Sequence, residues 1–289
     1  VNEYATPWQL KDYLGLRDSD KAVVESVTGE DVLLRRFCES ASRKIDTWTR
    51  RKFYPRIETR YYDDDESWRI WLDDDLLEIN LLTTGNTGTT ITPAQYILWP
   101  YGDYPKARID IDESTGVALS FSGTPQRANA VAGTWGYNSD WARAWVGSGD
   151  TLQAAVTDAT GTTLTVTSAA GANVQGLAPR FQECHLLKID DELLYVYAVP
   201  LNTSLSVRRG VNGSTAATHL DGAAIYVFEP EPEITLAIQR WGAYLYRQKD
   251  SDTFETQAFP EVGMVTTAAG LPADIRQVLD VYTRRETIS

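Results

Sequence analysis

The chain has 289 residues, room for one large domain or two ordinary ones, and its 43% apolar and 11% aromatic content supports a sizeable core. A formal charge of −13 repels phosphates and anionic lipid at long range. That argues against tight DNA binding but leaves open an acidic wall along which DNA slides. Nine Trp and fifteen Tyr supply rigid amphipathic rings, which suit protein–protein interfaces as well as cores. Cys38 and Cys184 form no CxxC pattern and read as two free buried thiols of a reducing compartment. No apolar run approaches the length of a membrane span, and the N-terminus carries no signal-peptide pattern, so a soluble protein made in cytosol is expected.

"TPWQLKDYLGL" predicts the first helix, over 6–15, with Thr6 as N-cap, Pro7 in the first turn and Gly15 as terminator. "EDVLLRRFCESASRKIDTWTRR" predicts the strongest helix, 30–51. Leu34, Phe37, Cys38, Ala41, Ile45 and Trp48 lie on one stripe at three- and four-residue spacing. Arg50, Arg51 and Lys52 at its end suit the helix dipole; a solvated helix end is the expectation, phosphate contact the alternative.

Beyond Pro55 the period changes to two, and 56–137 reads as an antiparallel β-subdomain. Trp68, Ile70 and Leu72 alternate with Arg69 and Trp71, and further strands follow in "QYILWP", "ARIDI", "VALSF" and "AVAGTWGY". Two acidic clusters, Asp63–Glu66 and Asp73–Asp75, fall between apolar runs. Aspartates suit turns, and three in a row on one strand would point to alternating faces, so hairpin corners are expected rather than a Ca²⁺ or Mg²⁺ site. On that reading Asp73–Asp75 can become Asn at little cost in stability.

After "GTWGY" the composition turns rich in Thr, Ala and Gly. Residues 148–229 read as a separate β-module between a Gly/Ser hinge at 147–149 and the rigid "EPEPE", with strands in "TTLTVT", "HLLKIDDELLYVYAV", "SLSVRRGVNG" and "AAIYVFEP". In "RRGVNG" an Asn-Gly turn is favoured over a charged binding loop. Helices return over 232–249 and 272–286, separated by a long loop at 250–270 that calls for a partner or for disorder.

Catalytic patterns are missing. His185 and His219 are the only histidines; no HExxH, GxSxG, GxGxxG or GxxxxGK[ST] pattern occurs; and Cys38 lies on a buried helix stripe. No enzyme, metal or cofactor is therefore expected.

The pieces "LKDYLGL", "LLRRFCESASRKIDTWTRRKFYPRIETRYYDD", "IWLDDDLLEI", "VAGTWGY", "ITLAIQRWGAYLYRQKDS", "AFPEVGMV" and "LPADIRQVLDVYTRRE", in this order, resemble the head–tail connector (adaptor) proteins of tailed bacteriophages over residues 6–137 and 231–286. The resemblance implies an α+β fold: a small helical bundle of early and late helices (1–147 and 230–289) bearing an antiparallel β-subdomain. The stretch 148–229 departs from the family's small members and resembles an all-β module appended to phage virion proteins. The resemblance further implies a ring of roughly a dozen copies. That ring sits in the virion neck beneath the portal protein and receives the next neck or tail protein, while DNA passes through its lumen unbound. No membrane is involved. It nominates Phe259, Pro260, Val262, Met264, Ile275, Tyr282, Arg284 and Arg285 for docking to the portal or a neighbour. Cutting the chain at Ala269 is then expected to leave a folded core that no longer joins heads. The alternatives are another neck or tail component (stopper, tail terminator or baseplate) and a virion protein that binds glycan through 148–229.

Overall fold

The computed structural model describes residues 2–16, 29–86, 88–249, 257–259, 264–266 and 271–284. The fold is α+β: four helices and two six-stranded antiparallel sheets among the described residues, with one further two-stranded pair.

Helix α1 (Pro7–Leu14) starts on a capping box. The Thr6 hydroxyl accepts from the Gln9 amide while the Gln9 side chain accepts from the Thr6 amide, and Gly15 ends the helix in the left-handed conformation. Helix α2 (Gly29–Thr49) buries Leu34, Cys38, Ala41 and Ile45 as its period requires. Trp48, expected on the same stripe, stays exposed and donates to Asp280. Ser42, Asp46 and Thr49 complete the buried side instead, and each is hydrogen-bonded: Ser42 to Cys38 O, Thr49 to Ile45 O, and Asp46 from Tyr4.

The first sheet has the order β1 (Arg56–Tyr62), β6 (Asn129–Trp135), β2 (Arg69–Thr84), β5 (Lys106–Ile111), β4 (Tyr96–Trp99), with β3 (Thr89–Ile91) also on β2. The expected corner at Asp73–Asp75 is not a corner. Strand β2 runs through it, pairing with β5 at Arg69–Trp71 and again at Leu76 after a register shift, and with β6 from Leu76 on. "VALSF" forms no strand. The first cluster does turn: Asp64 and Asp65 accept from the amides two residues on, at Glu66 and Ser67.

The second sheet is built wholly from 145–228. Its order is β7 (Trp145–Thr151), β12 (Ala224–Phe228), β9 (Leu186–Ile189), β10 (Glu192–Leu201), β11 (Ser204–Arg208), β8 (Thr163–Thr165). Residues 147–149, expected as a hinge, lie inside β7, paired to β12. Leu164, Phe181, Leu187, Leu194 and Leu205 fill this sheet's own core.

The second sheet rests on the first through Phe228, Trp145 and Trp141 packed with Tyr54 and Ile57. The "VNG" turn closes the contact. At Gly213 (φ +85°) an added Cβ would stand 1.9 Å from the Ile57 carbonyl oxygen. Thus "RRGVNG" serves a contact inside the chain. Gly213→Ala is expected to cost about 2 kcal/mol or more, while Gly222→Ala, equally left-handed but in open space, costs only about 1 kcal/mol of backbone strain; chemical denaturation compares them.

Helix α3 (Pro232–Gln248) and helix α4 (Ala273–Tyr282) pack on α1 and α2. Ile45, Phe53, Ile238, Trp241, Ile275 and Leu279 share one core. Gly242 admits Leu10 of α1 at a distance a side chain would close: a Cβ there would lie 2.9 Å from a Leu10 methyl. Within the stretch expected as loop, Gln257–Phe259 (β13) and Met264–Thr266 (β14) pair antiparallel. No described helix is long and apolar enough to cross a membrane.

Candidate functional site

The three aspartates of β2 lie where the strand changes partners, so strict alternation of side chains breaks down. Arg60 of β1 reaches both Asp73 (3.0 Å) and Asp74 (2.7 Å), which a regular strand would send to opposite faces. Asp74 also receives Arg56 (2.6 Å) and Arg284 (3.2 Å). Asp75 pairs with Arg51, whose Nε donates to the Tyr282 carbonyl at 2.7 Å. Arg284 further donates to the Leu72 carbonyl (2.9 Å), and its amide donates to Thr49 O. The acidic run is therefore the anionic half of a clasp. Arginines from the end of α2, from β1 and from the last described residue close on it and fasten α4 to the first sheet.

The electrostatics follow the burial. For Asp73, burial would raise the carboxyl pKa, but the Tyr62 hydrogen bond and Arg60 outweigh it and hold it below the ordinary value. For Asp75, burial prevails over Arg51 and Arg284, and the pKa is raised. The expected solvated basic end of α2 holds in part: Arg50 is exposed, but Arg51 sits in the clasp, over the Tyr137 ring, and Lys52 pairs with Asp46 at 2.9 Å. No cluster of three or more potential metal ligands occurs among the described residues.

The nominated docking residues fall in three places. Phe259 and Met264 face one another as backbone partners in the β13–β14 pair. Pro260, Val262 and Arg285 lie outside the described residues. Ile275 is buried (2% exposed) in the helical core; Tyr282 packs against Phe53 and Tyr137 and donates to Glu233; Arg284 is in the clasp. A side chain as deep as Ile275 can touch a partner only if α4 lifts away. What α4 does offer outward is Val281, 81% exposed. The cut at Ala269 would thus not spare the core: it removes Leu271, Ile275, Leu279 and Arg284 together.

A second polar centre lies in the second sheet. The Glu192 carboxylate is fully buried and accepts from Arg209 through two hydrogen bonds (2.7 and 2.6 Å), from the amides of Gly210 and Ala217 (both 2.9 Å), and lies 2.9 Å from His219 Nε2. Burial would raise its pKa, but Arg209, Ala217, His219 and Gly210 together bring it down to about 2. His219 Nδ1 is 2.8 Å from Asp190. Every heteroatom of this His is engaged, which makes it a strut between turns.

A cleft of about 390 Å³ opens between residues 2–9, the start of α3 and the second sheet, with Glu3, Gln182, His185 and Phe228 among its walls. Burial depresses His185 to about 4, so its imidazole is neutral near pH 7. Burial pushes the free thiols Cys38 and Cys184 well up, leaving them weak nucleophiles. Compared with protein-family models and with curated proteins, the chain matches none.

Proposed function

We propose that this chain is a structural head–tail adaptor of a tailed bacteriophage. Copies form a ring beneath the portal that joins the capsid to the neck or tail and lets DNA pass, and the chain makes or breaks no bonds. In this reading α1–α4 are the family's small helical bundle, the first sheet is its β-subdomain, and 145–228 is the inserted all-β module.

One observation carries the reading. The resemblance requires helices from the two ends of the chain to pack together, and Tyr4, Ile45, Ile238 and Ile275 do share a core although 145–228 intervenes. The acidic balance fits a lumen that releases DNA, and the surplus of Trp and Tyr fits subunit contacts.

Locating the chain by electron cryomicroscopy of intact particles tests the assignment: a ring at the portal vertex is expected, and density elsewhere in the particle overturns it. On the surface nominated here, Val281→Glu is expected to leave the melting temperature within about 1 °C, because the side chain is in solvent, and to lower head–tail joining about tenfold. Joining at the wild-type rate would remove the outer face of α4 from the docking surface.

A further inference from the structure

The outer face of the first sheet carries an aromatic and cationic platform that the clasp and the helical core leave uncovered. Trp71 of β2 and Trp99 of β4 are both register partners of Arg108 on β5. The guanidinium lies 5.1 Å from one indole and 5.0 Å from the other. Tyr101 extends the row, its ring 4.1 Å from Trp99. Trp71 is 55% exposed and Tyr101 56%. Beside them Arg69 and Arg108 share one carboxylate, Asp110, at 3.5 and 2.8 Å, so two guanidiniums face a single carboxylate there.

The second sheet carries the complementary shape and charge. Leu220 stands 81% exposed in a turn, with Asp221 exposed next to it. His219, through Asp190, ties that turn to the one holding Asp190 and Asp191, both exposed. Leu220 is thus an exposed apolar knob with three exposed carboxylates, its collar, on its own turn and on the turn tied to it by His219.

We infer that these two surfaces meet between copies: the Leu220 knob of one chain seats on the Trp71–Arg108–Trp99–Tyr101 platform of the next. Leucine covers the rings while the collar faces Arg69 and Arg108. Tryptophan, tyrosine and arginine are the residues that dominate protein–protein affinity. Within one chain the surfaces stay apart, since the second sheet meets the first at β1, and β4 is the opposite edge of that sheet. A contact between two different patches is heterologous, the kind that builds a ring where its rotation closes and an open filament where it does not. The inference rests on the ring reading above and names its subunit interface.

Sedimentation velocity of the full chain, alone and with portal-bearing capsids, tests it. Trp71→Glu sets a carboxylate against the collar, and assembly is expected to weaken about tenfold or more while the melting curve is unchanged. Adding Asp191→Lys and Asp221→Lys to the same chain is expected to restore assembly. If the wild type forms rings and Trp71→Glu forms them equally well, the platform is not the interface, though the ring stands. If Trp71→Glu weakens assembly and the lysines do not restore it, the platform meets a different surface and the pairing is wrong. If the wild type forms no ring even on portals, the adaptor reading itself fails, and this inference with it.

Discussion

Glu192→Gln is expected to lower the unfolding free energy at pH 7 by about 3–5 kcal/mol, the cost of breaking a buried ion pair by removing one partner. The carboxylate is the common acceptor for Arg209, two backbone amides and a ring nitrogen, and neither it nor Arg209 has appreciable contact with water. A glutamine keeps one carbonyl oxygen and adds an NH₂ that would face Arg209. Asp190→Asn, at the other nitrogen of the same His219, removes a carboxylate that is 66% exposed and is expected to cost under about 0.5 kcal/mol. Urea denaturation of the two variants gives the comparison. Equal losses would show that the interior geometry of this centre does not set its energetics.

The pH dependence has a definite sign. Glu192 is depressed in the folded chain from 4.5 to about 2, so between those values the unfolded chain binds more protons. Its contribution is fully present above about 4.5 and is lost as pH falls toward about 2. The gap between wild type and Glu192→Gln is therefore expected to narrow as pH falls over that acid range. A gap independent of pH down to about 2 would mean that the carboxylate is not held in its charged form.

Much of the secondary structure was legible in the sequence, because it is written locally. Thr6 with Gln9, Pro7 and Gly15 mark both ends of α1, and the run from Leu34 to Ile45 marks the buried side of α2. The strands of the second sheet at 163–165, 186–201, 204–208 and 224–228 fall where their apolar runs place them. Strand β7 was not legible, since "WVGSGDT" has turn residues and acquires its extended form from β12. Distance in sequence hid the rest. Asp74 reads as a turn residue until Arg284, 210 positions away, is beside it. The divergence expected of three consecutive aspartates held only for a regular ladder, and the register shift after Trp71 removed that premise. "RRGVNG" does contain a turn, as read, but the surface it meets, the Ile57 backbone, belongs to the other sheet. Of the nominated docking residues, Ile275 shows the limit of a stripe: periodicity says which side of α4 is apolar, and that side is the one already covered.

The three aspartates of β2, expected from sequence to be interchangeable with asparagine, are expected from the structure to differ in a fixed order. Asp74→Asn removes the anion shared by Arg56, Arg60 and Arg284, all about four-fifths buried, and should cost about 2–3 kcal/mol. Asp75→Asn should cost about 1 kcal/mol at neutral pH, because Arg51 loses its partner but a carboxylate held against burial is also relieved. The raised pKa of Asp75 gives this variant the opposite pH trend to Glu192→Gln. The contribution of Asp75 is fully present below its ordinary carboxyl value and is lost as pH rises from there through its raised folded value. Asp73, 64% exposed, should tolerate Asn within about 0.5 kcal/mol. The loss at Asp74 has a place as well as a size, since Arg284 helps attach the end of α4 to the first sheet. Amide exchange across Ala273–Tyr282 is expected to speed up in Asp74→Asn and to remain unchanged in Asp73→Asn. If the two variants exchange alike, the clasp is a surface ornament, and α4 is held by its contacts with the helical core, Ile275 and Leu279 foremost.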